Sequence, residues 1–113
     1  MPFINVKTNQ YVDKAQADRI KSALGSAISV VPGKSESWLM VNAEGSQMLY
    51  FQGTDAPAAI VQAALYGNAS GSALDALTAK ITDALTEILG VPASRVYVSY
   101  QLTEHWGWNG NNF

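Results

Sequence analysis

AAIVQAALYGNASGSALDALTAKITDALTEILGVPASRVYVSYQL, residues 58–102, contains three elements in succession. Ala58 to Tyr66 is a β-prone run, and the cluster Gly67-Asn68-Ala69-Ser70-Gly71 breaks it. Ser72, with Asp75 three residues on, predicts a helix start. Leu74, Leu77, Ile81, Ala84, Leu85 and Ile88 then recur at three- and four-residue spacing, which places them on one buried helical face. Gly90 closes that helix in the left-handed manner, with Pro92 soon after. Arg95 to Leu102 alternates, with Val96, Val98 and Tyr100 on one face and Tyr97 and Ser99 on the other, so it predicts a strand.

The first half of the chain has the same order. Phe3 to Thr8 is β-prone, and Asp13 with Gln16 three residues later predicts a capped helix start. Ala17, Ile20, Leu24, Ala27, Ile28 and Val31 form the apolar stripe, opposite Lys14, Asp18, Lys21 and Ser22. Val31-Pro32-Gly33 stops the helix; Trp38 to Asn42 reads as a strand, and Ala43-Glu44-Gly45-Ser46 turns into another at Gln47 to Phe51. A helical crossover joins parallel strands, so each half is a β-α-β unit. The expected fold is an α/β chain of the α+β two-layer type, with a four-stranded sheet and both helices on one face. A single domain is expected over 1–113, with repeats at 2–51 and 58–102 and an aromatic C-terminal segment at 103–113.

Composition narrows the chemistry. With 113 residues, 48% hydrophobic and 14% charged, the chain can build a core and is not of the disordered class. Its formal charge of −2 and lack of a basic run argue against nucleic acid as a partner. The absence of cysteine removes disulfides, thiolate metal sites and thiol nucleophiles. No stretch approaches the ~20 apolar residues of a membrane span, and Met1-Pro2-Phe3-Ile4-Asn5-Val6-Lys7 lacks a signal-peptide pattern, so a soluble, cytosolic protein is expected. The low charged fraction also favours an oligomer.

His105 is the sole histidine, and no Asp/Glu pair shares a helix face at ligand spacing, so no metal site is expected. Neither a nucleophile elbow nor a phosphate loop is present. Interest therefore falls on Pro2. Removal of Met1 would expose a secondary amine, and an apolar pocket with a nearby cation would keep that amine neutral at pH 7, able to shuttle protons. Pro2 also reads, without any catalytic role, as the rigid first residue of an edge strand.

Four segments point further: Pro2-Phe3-Ile4-Asn5-Val6-Lys7-Thr8-Asn9, Gly33-Lys34, Gly90 through Tyr100, and Trp106-Gly107-Trp108-Asn109-Gly110-Asn111-Asn112-Phe113. In their order and spacing the chain resembles the macrophage migration inhibitory factor family of the tautomerase superfamily. That resemblance implies a β-α-β-β-α-β subunit in a homotrimer around a central channel. It also implies a cofactor-free, phenylpyruvate tautomerase-like isomerase acting on aryl 2-keto acids or their enols at subunit interfaces.

By the same resemblance, Pro2 is the general base and then the acid, and Lys34 holds the substrate carboxylate while lowering the amine's pKa. Tyr66 contributes its backbone N–H, Tyr97 and Ser99 reach the neighbouring subunit's site, and Trp38, Trp106, Trp108 and Phe113 form an aromatic wall. Lys34 also reads as a solvated residue after a helix end, and the aromatics as packing for the C-terminal segment. Ser99 and Trp106 depart from the family pattern, where asparagine and a smaller aliphatic residue are expected. Ala58-Ala59-Ile60-Val61 replaces the Cys-x-x-Cys of mammalian members, which removes thiol-disulfide chemistry there. The alternative the resemblance implies is a secreted, cytokine-like signalling protein with a protein receptor, released without a signal peptide.

Overall fold

Alternation over Pro2–Thr8 (β1) sends Pro2, Ile4, Val6 and Thr8 inward, and the same period over Ala59–Tyr66 (β3) buries Ala59, Val61, Ala63 and Leu65. The computed structural model describes residues 1–113. Between these strands lie the helix α1 (Lys14–Ala27) and the strand β2 (Met40–Glu44); after them come α2 (Gly71–Leu89) and β4 (Val96–Thr103). A small hairpin, β5 (Gly107–Trp108) with β6 (Asn111–Asn112), ends the chain.

The sheet order is β2-β1-β3-β4. β1 runs parallel to β2 and β3 parallel to β4, while the central pair, β1 and β3, is antiparallel. The two β-α-β repeats therefore sit back to back, and α1 and α2 pack against each other over one face of the sheet. Ile20, Leu24 and Ile28 from the first repeat meet Leu77, Ile81 and Leu85 from the second above Ile4, Val6, Val61 and Leu65, all fully buried. Burying each such side chain is worth about 1.5–3 kcal/mol, so this layer outweighs any cap or turn in holding the fold. Thr8 is the one buried polar side chain, and its hydroxyl donates to the Ala58 carbonyl at 2.8 Å. Neither helix is long and apolar enough to cross a membrane.

Capping follows the sequence at α1 and departs from it at α2. Asp13 and Gln16 form the reciprocal capping box, at 2.8 Å and 3.0 Å. At α2 the cap is Ser70, not Ser72; its hydroxyl accepts from the Ala73 N–H at 3.1 Å, and Gly71 and Ser72 already belong to the helix. Ser70 keeps an extended backbone, the geometry an N-cap requires. Gly90 ends the helix at φ 71°, a conformation that costs a residue with a Cβ about 1 kcal/mol or more.

Two strand expectations also need correction. β2 begins at Met40, because Glu36–Trp38 forms a 3-10 turn that takes Trp38 out of the sheet. Gln47–Phe51 pairs with no strand of the chain. Its Phe51 bridges Thr54 across a tight turn, and the backbone groups of Met48 and Tyr50 make no hydrogen bond within the subunit. Strand propensity without a paired strand gives an extended loop.

β4 is fastened to α2 by Tyr100, whose hydroxyl lies 2.6 Å from the Thr78 hydroxyl and donates to the Leu74 carbonyl at 3.1 Å. Burial pushes the Tyr100 phenol above its usual pKa. Tyr100→Phe is expected to lose about 1 kcal/mol. A lowered urea midpoint at unchanged far-UV circular dichroism would show it; an unchanged midpoint would mean that these bonds add nothing over water.

Candidate active site

Lys34 owes its place to the end of the first helix. Pro32 and Gly33, the latter at φ 81°, occupy the two central positions of a turn closed by the Lys34 N–H to the Val31 carbonyl at 3.1 Å. That is a type II turn, which requires positive φ at its third residue. It directs the Lys34 side chain to the C-terminal end of β3, where its ammonium donates to the Tyr66 carbonyl at 2.6 Å and sits 5.9 Å from the centre of the Tyr66 ring.

β1 begins beside the end of β3, in the register Pro2↔Leu65, so the amino terminus meets Lys34 at this corner. The terminal amine of Met1 is held below its ordinary pKa by burial first, then by the charge of Lys34 and its hydrogen bond. The sign is favourable to base catalysis: the neutral amine persists to lower pH than a free terminus would allow, and is lost as pH falls through the lowered value. The Tyr66 N–H, the last donor of β3 before Gly67, gives its hydrogen bond to the Met1 carbonyl at 3.1 Å.

An aromatic rim completes the cleft, which has a volume of about 250 Å³ and is lined by Met1, Gly33, Lys34, Trp38, Tyr66 and Phe113. Trp38 meets Trp108 edge-to-face at 5.1 Å. Trp108 is nearly parallel to Phe113 at 6.4 Å, and Phe113 lies 5.5 Å from Tyr66. The terminal hairpin carries two of these rings, and the Phe113 N–H donates to the Trp106 carbonyl at 3.0 Å to close it. Trp38, Trp108 and Phe113 each remain about half exposed, so the cleft has an open apolar wall around one cation.

Of the residues singled out in the sequence, Lys34, Tyr66, Trp38 and Phe113 line this cleft, while Pro2 adjoins it in register with Leu65 and Trp108 reaches it through its ring contacts with Trp38 and Phe113. Tyr97, Ser99 and Trp106 do not line it. Trp106 serves the hairpin through its carbonyl. Tyr97 and Ser99 lie exposed on the sheet face opposite the helices, with Ser99 in register with Gln62 and, beyond it, Asn5. Met1 and Gly33 are lining residues that sequence reasoning missed; the Pro-Gly turn was the available signal for Gly33.

With Met1 in place the Pro2 nitrogen is an amide without useful basicity. Its removal would transfer the amino terminus to Pro2, vacate the part of the cleft that Met1 lines, and free the Tyr66 N–H. The corner could then offer a base, a cation and a hydrogen-bond donor beside an aromatic wall.

The family model for macrophage migration inhibitory factor (MIF) matches residues 1–113. A macrophage migration inhibitory factor homolog from Trichuris trichiura is 33% identical over 115 aligned positions, spanning 100% of both chains. The Xenopus laevis macrophage migration inhibitory factor is 28% identical, over 100% of this chain and 99% of its own. Among solved structures, that of Leishmania major MIF2 superposes with a TM-score of 0.94 at 34% identity, over 100% of this chain and 97% of that one. The chain belongs to the macrophage migration inhibitory factor family of the tautomerase superfamily, a membership that supports tautomerase-type isomerase chemistry in general terms.

Proposed function

We propose that the chain, once Met1 is removed, is a cofactor-free keto–enol tautomerase of aryl 2-keto acids such as phenylpyruvate, working in the cytosol as a homotrimer. The observation that carries this reading is the Lys34 ammonium beside the chain's amino terminus in an aromatic cleft. One cation there does two jobs: it attracts a carboxylate and it disfavours the protonated amine.

In the direction of ketonisation, the neutral Pro2 amine takes the proton from the enol hydroxyl. The C=O bond forms as the C=C electron pair collects a proton at the adjacent carbon from the same, now protonated, amine. No proton is lost or gained overall. Lys34 pairs with the carboxylate, the freed Tyr66 N–H donates to an oxygen of the substrate, and Trp38, Trp108 and Phe113 flank the aryl ring. A single carboxylate suits a site with a single cation.

The trimer is proposed from what one subunit leaves incomplete. Met48 is 95% and Tyr50 69% exposed, and the backbone groups of these two residues of the β-prone segment find no partner within the chain. Such a segment suits pairing with another subunit's sheet edge. Tyr97 and Ser99, on the open sheet face away from their own cleft, would then complete a neighbour's site, Tyr97 steadying the substrate's polar end.

The test is ketonisation of phenylpyruvate by protein whose intact mass shows Met1 absent. Pro2→Gly is expected to lower kcat/KM by about 10²–10⁴-fold, the usual contribution of a positioned acid–base group. Protein retaining Met1 should be inactive. Lys34→Ala should lower kcat/KM about tenfold or more, through a KM raised by loss of a charge-assisted hydrogen bond and a smaller neutral fraction of the amine at pH 7. Full activity in Pro2→Gly, or none in the processed protein, would contradict the reading. Sedimentation equilibrium should give three times the 12.1 kDa chain mass; a monomer would contradict the interfacial site.

A further inference from the structure

Arg95 carries a contact network that neither the core nor the cleft uses. It ends the 3-10 turn Ala93–Arg95, two residues before Tyr97 on β4. Its side chain reaches back over the segment that follows Tyr50. The Nε donates to the Pro57 carbonyl at 2.9 Å, and one Nη donates to the carbonyls of Ala56, Phe51 and Thr54 at 3.0, 3.2 and 3.3 Å. No carboxylate pairs with it. The guanidinium carbon lies 5.1 Å from the centre of the Phe51 ring, and that ring stands nearly perpendicular to Tyr97 at 4.9 Å.

The loop has a second anchor. The Asn9 amide donates to the carbonyls of Leu49, Asp55 and Ala56 and accepts from the Ala58 N–H at 3.0 Å. The two anchors share the Ala56 carbonyl; Arg95 adds the carbonyls of Thr54 and Pro57 and a grip on Phe51 from both its carbonyl and its ring. A lysine, a point charge on a flexible stem, cannot reproduce a planar fork that spans several carbonyls while lying over a ring. Tyr97 is 60% exposed, and Phe51 is its one aromatic neighbour. Without that neighbour an exposed tyrosine samples several rotamers, and a ligand must order it on binding.

We propose that Arg95 and Phe51 are positioning residues that fix the orientation of the Tyr97 ring on the open sheet face, and that they influence substrate binding only through Tyr97. The link to binding rests on the reading above in which Tyr97 completes a neighbouring subunit's cleft. The orientation itself does not.

The experiment uses full-length processed protein carrying 3-fluorotyrosine, with the Tyr97 resonance assigned by Tyr97→Phe. Phe51→Leu and Arg95→Lys are each expected to shift and broaden the Tyr97 fluorine line. Both should raise KM for phenylpyruvate about two- to tenfold, the equivalent of ordering one side chain, with kcat little changed. In a Tyr97→Ala background, Phe51→Leu should add nothing further to KM. An unchanged fluorine line in both variants would overturn the proposal, as would a KM effect of Phe51→Leu that persists undiminished without Tyr97. Should the unsubstituted protein fail to turn over phenylpyruvate, that result counts against the tautomerase reading, while the fluorine line still decides whether Phe51 and Arg95 orient Tyr97.

Discussion

Two cationic groups of one short chain, the amino terminus and the Lys34 ammonium, meet at the end of β3, and the architecture of the cleft depends on that meeting. Burial first, and then the charge and hydrogen bond of Lys34, hold the terminal amine below its ordinary pKa. The Lys34 ammonium donates to the Tyr66 carbonyl. The helix stop at Val31, the Pro32-Gly33 turn and the adjacency of β1 and β3 all serve to produce this encounter. A change in any of them would move one cation away from the other and leave an ordinary lysine beside an ordinary terminus.

The tandem repeat is what makes the encounter geometrically cheap. Placing two β-α-β units back to back puts the start of β1 next to the end of β3, while β2 and β4 take the edges. The apolar layer between helices and sheet is shared by both repeats, so its rigidity is conferred on both sides of the corner. The aromatic rim is built differently, from a 3-10 turn and a terminal hairpin, and is held mainly by ring contacts. Its exposure leaves room for a ligand to complete the apolar surface.

Much of this was legible in the residues themselves, because both helices have one continuous apolar stripe and β1, β3 and β4 alternate without interruption. Spacing alone places Ile20, Leu24, Leu77, Ile81 and Leu85 on buried faces, and residue type and offset give the Asp13–Gln16 capping box. Boundaries failed where two neighbouring signals compete: Ser70 and Ser72 are both capping residues, and only the extended backbone at Ser70 distinguishes them. Gln47–Phe51 departs for a different reason, since a strand is a property of a pair and this segment lies against neither free edge of its own sheet, β2 nor β4. At the cleft, Lys34 and the aromatics could be singled out as residue types. That the Tyr66 N–H binds the Met1 carbonyl, that Trp106 acts through its backbone, and that Phe51 stands between Arg95 and Tyr97 all depend on register and loop path. No local pattern encodes those.

The central claim is that Lys34 tunes the terminal amine, and it can be read without any substrate. Protein lacking Met1, labelled with ¹⁵N-proline, reports the Pro2 amine directly through the pH dependence of its nitrogen shift. The account requires a midpoint below the ordinary amine value of about 8, moving upward in Lys34→Ala. A midpoint at or above the ordinary value, indifferent to Lys34→Ala, would contradict it.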